Sequence, residues 1–162
     1  MSRAFVKEDD GSRPEHLPDH PVSAAPNLVT ARGLRLIADR VEQLNAALAA
    51  SPEEPQLSRL RRDLRYWNTR HATARLTEPD QSRDAVQFGS RVTYMTEEGS
   101  AHTLRLTGED EADPATGRIA YTAPVARALM GLAPGETATV RLHGAEVEIE
   151  VTSLDHTPEP ST

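Results

Sequence analysis

Two heptad-spaced, largely apolar series between residues 34 and 74 constrain the fold of this chain most strongly. The first series consists of Leu34, Ile37, Val41, Leu44 and Leu48, and the second of Leu57, Leu60, Leu64, Trp67, His71 and Ala74. Alternating intervals of three and four residues place each series along one side of a helix. Because a short bend at residues 51–55 connects the two predicted helices, these sides can bury themselves against each other. We therefore predict an antiparallel coiled-coil hairpin with arms of about 18 to 20 residues, or roughly 27 to 30 Å.

Changes in composition and periodicity divide the rest of the chain. Residues 1–28 contain four prolines and few apolar side chains, which predicts an extended or disordered arm. Residues 29–77 form the predicted hairpin. From residue 78 to residue 155 the apolar spacing becomes alternating, which indicates a sheet domain. Residues 156–162 are predicted to form a disordered tail.

The second domain is predicted from alternating segments and turn residues. The expected strands are residues 91–96, 103–107, 118–122, 137–142 and 146–152, with a short helix at residues 124–130. The hairpin helix before them is expected to begin at Thr30, a favourable N-cap residue. The predicted fold class is α+β: a coiled-coil helical hairpin followed by an antiparallel sheet with one short helix.

Composition excludes several kinds of site. The chain has no cysteine, so it has no disulfide, thiolate metal site or thiol nucleophile. It also has no apolar run long enough to span a membrane. We expect a cytoplasmic protein that does not associate with membranes.

Charge is distributed unevenly along the sequence. The net charge is −7, yet residues 29–76 carry nine basic and five acidic side chains. The predicted basic face of the second arm consists of Arg59, Arg62, Arg65 and Arg70. Two interpretations remain open: a solvated helix face, or a surface that meets a polyanion such as RNA, DNA or an acidic protein.

The bend between the arms also has two interpretations. Ser51 with Glu54 forms a capping-box pattern, in which the acids only start the second helix. Alternatively, that helix starts at Pro55 and leaves Glu53 and Glu54 exposed at the tip. Two exposed carboxylates there could act as ligands for a magnesium ion presented by a partner.

Several short motifs in the second domain resemble the C-terminal domain of the GreA/GreB transcript cleavage factors. They are Phe88-Gly89-Ser90, Gly108, Glu111-Ala112-Asp113, Gly117-Arg118-Ile119, Pro124 to Gly131, and Pro134-Gly135-Glu136. Residues 1–8, together with Val29-Thr30 and Gly33-Leu34, are similar to a GreB-like subgroup. The resemblance implies an FKBP-like domain that docks on RNA polymerase while the hairpin enters the secondary channel. It also implies a docking surface formed by Ala123, Pro124, Val125, Arg127 and Asp113.

The chain departs from this family at the hairpin tip. The family's acidic tip motif is missing, Glu53 and Glu54 are the only acids at the bend, and the arms are shorter. We therefore expect a monomeric polymerase-binding regulator with little transcript-cleavage activity, in contact with RNA polymerase and with nascent RNA or DNA in that complex. It is not expected to be an enzyme or to hold an intrinsic metal or cofactor.

Two alternative functions are a transcript cleavage factor and a prolyl isomerase. A true cleavage factor would use Glu53 and Glu54 to share a magnesium ion with the polymerase. A prolyl isomerase follows only from the fold analogy, and the second domain has too few aromatic residues for a proline pocket.

Overall fold

The structure, a computed structural model, describes residues 17–160. Residues 1–16 and 161–162 lie outside the described part, and with them most of the predicted arm, the end of the predicted tail and the GreB-like opening residues. The helices are α1 (Ala31–Ala49), α2 (Gln56–Thr73) and α3 (Pro124–Leu129). The strands are β1 (Leu28–Val29), β2 (Arg75–Leu76), β3 (Arg91–Thr96), β4 (Ala101–Thr107), β5 (Arg118–Ala120), β6 (Thr137–Leu142) and β7 (Ala145–Asp155).

Helices α1 and α2 form the predicted hairpin. Thr30 caps α1, because its hydroxyl accepts a hydrogen bond from the Gly33 amide at 2.9 Å. Ile37 and Leu44 are buried between the arms, as the heptad spacing predicts. At the base of α2 the predicted heptad series is wrong: His71, a member of the series, is exposed, and Arg70, predicted on the basic face, is buried. There α2 packs against an acidic loop of the second domain, and this contact decides which side is covered.

The second domain is built on a five-stranded sheet in the order β5-β4-β3-β7-β6. The predicted fold class is confirmed, with one correction: β4 and β5 are parallel, so the sheet is mixed rather than antiparallel. The segment from residue 108 to residue 117, which includes a 3₁₀ turn, carries the chain back before β5 begins. A parallel pair requires such a crossover.

A second sheet, absent from the prediction, joins the two ends of the hairpin. Strands β1 and β2 pair in parallel, with Leu28 opposite Arg75 and Val29 opposite Leu76. Each strand has two residues, too few to show an alternating pattern. This small sheet closes the base of the hairpin.

The core lies on one face of the large sheet. Its buried strand residues are Val92, Tyr94, Leu106, Val140, Ile149 and Val151. Helix α3 covers them with Val125, Ala126 and Leu129. Burying an apolar side chain of this size stabilises a fold by about 1.5 to 3 kcal/mol. The opposite face of the sheet is therefore free to carry polar and charged residues.

Candidate functional site

The acidic loop after β4 fixes the position of the hairpin. The Arg70 side chain, 2% exposed, places its Nε 2.5 Å from Asp110 Oδ2 and its Nη2 3.6 Å from Glu109 Oε2. Tyr66, one turn earlier, donates its hydroxyl to Asp110 Oδ1. Both contacts join α2 to the loop, so Arg70 is not part of an exposed basic face as the sequence suggested.

The next loop residue, Glu111, holds the start of α1 in the same way. Its side chain is 1% exposed and lies 3.2 Å from Arg32 Nη1. It also accepts a hydrogen bond from the hydroxyl of Thr30, the residue that caps α1. A Cβ at Gly33 would stand 2.7 Å from Glu111 Oε2, so a larger residue there would have to displace this carboxylate. The three consecutive acids Glu109, Asp110 and Glu111 thus contact both helices of the hairpin.

The Tyr66 contact predicts a pH dependence. Burial, followed by the hydrogen bond and negative charge of Asp110, raises the pKa of the Tyr66 hydroxyl from 10.0 to about 12. Because folding favours the neutral hydroxyl, this contribution to stability is complete below pH 10 and is lost as the pH rises towards 12. We expect the parent protein to lose more stability than Tyr66→Phe between these pH values in urea unfolding. A parallel decline in both proteins would contradict this.

The hairpin tip adopts the second of its two predicted forms. Helix α2 begins at Gln56, directly after Pro55, and Ser51 has a left-handed backbone with φ of 53°. No capping box forms. The Glu54 carboxylate instead accepts hydrogen bonds from the Ser58 hydroxyl at 2.7 and 2.8 Å and from the Ser58 amide at 3.3 Å.

These contacts bear on whether the tip suits a metal ion. Glu53 and Glu54 are both exposed, but Glu54 is already engaged by Ser58. Between residues 17 and 160, no cluster of three or more His, Asp or Glu side chains is arranged to hold a metal. The two tip acids alone therefore do not fit a metal site.

The predicted docking residues are divided between two elements. Pro124 and Arg127 are exposed on α3, whereas Val125 is 7% exposed and packs into the core beneath them. Ala123 occupies the N-cap position of α3 and makes no side-chain cap. Asp113 lies on the 3₁₀ turn before β5, where its carboxylate accepts a hydrogen bond from the Ala115 amide. Pro124 and Arg127 are thus the two predicted residues that α3 presents to solvent.

Beside α3 lies a groove that no pattern in the sequence indicates. It is lined by Ser23, Ala25, Glu109, Tyr121, Thr122, Arg127 and Met130. Met130 is 38% exposed and adds apolar surface to the groove. Tyr121 donates its hydroxyl to the Pro26 carbonyl, so segment 17–27 forms one wall of the groove. The Tyr121–Pro26 hydrogen bond spans 95 residues of sequence, so no local sequence pattern indicates it.

The basic face of α2 is smaller than predicted. Arg59 is exposed, but Arg62 contacts Asp63 at 3.2 Å and Arg65 contacts Asp19 at 2.6 Å. With Arg70 buried, two of the four predicted arginines are paired on the surface and a third is internal. Arg59 and its neighbour Arg61 remain exposed on this helix.

Comparisons with known proteins identify the second domain. Residues 80–156 match the family described as "Transcription elongation factor, GreA/GreB, C-term". This domain belongs to the GreA/GreB family. Among curated relatives, the chain is 44% identical over 72 residues to a transcription elongation factor GreA from Anaeromyxobacter sp. (strain K), covering 44% of the chain and 43% of that protein. It is 37% identical over 75 residues to the GreA of Bradyrhizobium diazoefficiens, covering 46% and 48%.

These alignments span less than half of the length of the GreA relatives. Two solved structures align over more of the chain. Gfh1 of Thermus thermophilus is 15% identical, with a TM-score of 0.41, over 81% of this chain and 99% of that one. A GreA/GreB factor of Nitrosomonas europaea is 22% identical, with a TM-score of 0.41, over 78% and 97%. The GreB-like subgroup stays a prediction.

Within residues 17–160, no helix combines the length and the apolar character that a membrane span requires.

Proposed function

We propose that this protein binds RNA polymerase and regulates transcription elongation. The observation that carries the proposal is the GreA/GreB C-terminal domain at residues 80–156, attached to a helical hairpin. The domain docks on the polymerase, and the short coiled coil is directed into or onto the secondary channel. The contacts of Glu109, Asp110 and Glu111 with both helices support this, because they hold the hairpin in one direction relative to the docking domain.

In this proposal the docking surface is centred on α3. Pro124 and Arg127 supply an exposed apolar ring and an exposed cation, and Met130 adds apolar area beside them. Interface centres combine such apolar contacts with arginine. Ala123 and Asp113 remain proposed rim residues, and Val125 supports the surface from the core.

We further propose that the bound protein stimulates little transcript cleavage. The arms have 19 and 18 residues, which corresponds to about 27 to 29 Å at 1.5 Å per residue. At the tip Glu54 is engaged by Ser58, which leaves Glu53 as the acid with a free carboxylate. Misplacing a catalytic group by about 1 Å can reduce a rate on the order of a hundredfold. The protein would then act by occupying the channel or its rim.

The alternative is a true cleavage factor that uses Glu53 and Glu54. The exposure of both residues at the tip is the observation that favours it. In either case the protein itself is not an enzyme, because the cleavage chemistry would be that of the polymerase. Both versions place a monomer in the cytoplasm, bound to RNA polymerase and close to nascent RNA or DNA.

A cleavage assay distinguishes the two versions. Stalled elongation complexes with a backtracked transcript are incubated with magnesium and either the parent protein or Glu53→Ala/Glu54→Ala. We expect the parent to slow transcript extension after nucleotides are added, without shortening the RNA beforehand, and the double variant to behave in the same way. Rapid shortening by the parent that is lost in the double variant would establish the cleavage factor instead. A parent protein without effect on extension or cleavage would contradict the proposed regulation.

The basic face predicts a salt dependence. If Arg59 and Arg61 meet phosphates or acidic side chains in the complex, Arg59→Gln/Arg61→Gln should lower the affinity for polymerase. It should also reduce the slope of log affinity against log salt, by about 0.7 to 0.9 for each lost phosphate contact. Arg75→Gln, which removes an exposed arginine at the base, is the matched control. Equal slopes for the double variant and the parent would favour a solvated helix face.

A further inference from the structure

Four charged residues stand in one row across the outer face of the sheet. In the strand register Asp155 of β7 lies opposite Arg91 of β3, Arg91 opposite Arg105 of β4, and Arg105 opposite Arg118 of β5. Directly paired residues project from the same face of a sheet, and like charges in such pairs destabilise it. Three adjacent arginines therefore require negative charge from elsewhere. We call Arg91, Arg105 and Arg118 the arginine row.

A peptide segment of the chain itself supplies part of that charge. Arg118 Nη2 donates to both carboxylate oxygens of Glu159, at 2.8 and 2.9 Å. Arg105 Nε lies 3.6 Å from the same carboxylate. Arg105 Nη1 also donates to the backbone carbonyl of Thr157 at 3.1 Å. The row thus contacts both the acidic side chain and the main chain of an extended peptide.

The segment is anchored just before these contacts. His156 is 9% exposed, with Nδ1 2.9 Å from the Ser90 hydroxyl and Nε2 2.7 Å from the Arg83 carbonyl. From Thr157 to Pro160 the chain has no helix or strand. Pro158 and Pro160 restrict the backbone on both sides of Glu159 to extended conformations. The segment after His156 can therefore leave the row while His156 stays in place.

The arginine row has space for a ligand larger than the Glu159 side chain. A cleft lined by Arg91, Thr103, Thr116, Gly117 and Arg118 continues beside the Glu159 carboxylate. Within residues 17–160, the buried Nε of Arg118 has no hydrogen-bond acceptor. Asp155 is directed to Thr157, whose amide lies 2.8 Å from its carboxylate. The open space of this cleft is what a longer acidic ligand would fill.

We propose that the arginine row is a binding site for an extended acidic peptide of a partner protein, occupied in cis by Glu159. A peptide fits better than a nucleic acid because Arg105 donates to a peptide backbone carbonyl beside the contact of Arg118 with the Glu159 carboxylate. The site lies on the face of the sheet opposite α3. It borders the proposed docking surface at Asp113, whose backbone pairs with that of Arg118. Displacement of residues 157–160 by the partner peptide would expose it.

Fluorescence anisotropy with a labelled synthetic peptide tests this proposal. The peptide has the sequence of residues 157–162, and the protein is the full chain, as the parent and as Glu159→Gln. An intramolecular competitor acts at an effective concentration in the millimolar range, so its removal should strengthen peptide binding about tenfold or more. Adding Arg118→Gln, which removes the cation that donates to both carboxylate oxygens, should reverse most of that gain.

Three controls make each outcome decisive. Arg141→Gln, on the exposed side of β6, should leave peptide binding unchanged. Arg91→Gln, at an exposed position of the row, replaces Arg118→Gln if circular dichroism shows that variant to be unfolded. A labelled single-stranded oligonucleotide is titrated in parallel. Equal peptide binding by the parent and Glu159→Gln, or binding indifferent to the row variants, would overturn the proposal. Tighter, row-dependent binding of the oligonucleotide would assign the site to nucleic acid instead.

Discussion

Arg70→Ala should lower the free energy of unfolding by about 3 to 5 kcal/mol, the usual cost of removing one partner of a buried ion pair. The Arg70 side chain is 2% exposed and that of Asp110 is 9% exposed. Without the guanidinium, the Asp110 carboxylate stays buried beside Glu109 with no cation between them. Urea unfolding monitored by circular dichroism would show the change as a lower midpoint.

The matched control is Arg61→Ala, which removes an exposed arginine from the same helix. Its effect should remain within about 0.5 kcal/mol, as is usual for surface positions. If Arg70→Ala were as mild as this control, the contact between hairpin and acidic loop would not hold the two domains together. The proposed direction of the hairpin would then lose its support.

Charge reversal on α3 should have the second large effect, a loss of affinity for RNA polymerase. Arg127→Glu is expected to weaken binding to RNA polymerase at least about tenfold, or 1.4 kcal/mol, because a favourable interface charge becomes a repulsive one. Arg127 is exposed, so the fold should be unaffected. Competition against a labelled parent protein measures the loss directly.

Arg83→Glu provides a control with the same change in charge. Its side chain is 71% exposed and makes a single 3.8 Å surface contact with Asp80, an interaction that contributes little. It should compete for polymerase as well as the parent does. Equal competition by Arg127→Glu and the parent would remove α3 from the docking surface.

Patterns that are local in sequence predicted much of the fold. The heptad spacing located Ile37 and Leu44 between the arms, and Thr30 caps α1 as expected. The predicted bounds of β3 and β6 agree with the structure, because both strands alternate clearly and end at turn residues. For the tip the sequence left two forms open, and the structure has the one in which α2 begins after Pro55. Pro55 cannot donate the hydrogen bond that an earlier helix start would need.

Features that depend on tertiary contacts were not predictable. Arg70 looked like one more surface arginine, because its partner Asp110 is 40 residues away. The parallel pairing of β5 depends on how residues 108–117 cross the domain. The alignment of Arg91, Arg105 and Arg118 becomes visible only when the strand register is known. The candidate docking residues came from family resemblance, and the groove beside them came from the structure alone.

Equilibrium binding of the labelled full chain to purified core RNA polymerase tests the central claim most directly. The chain would be labelled at a single introduced cysteine, which the cysteine-free sequence allows without ambiguity. The proposal predicts saturable binding of one protein per polymerase, reversed by unlabelled parent and much less by Arg127→Glu. No saturable binding at the highest polymerase concentration tested, with the fold intact by circular dichroism, would contradict it.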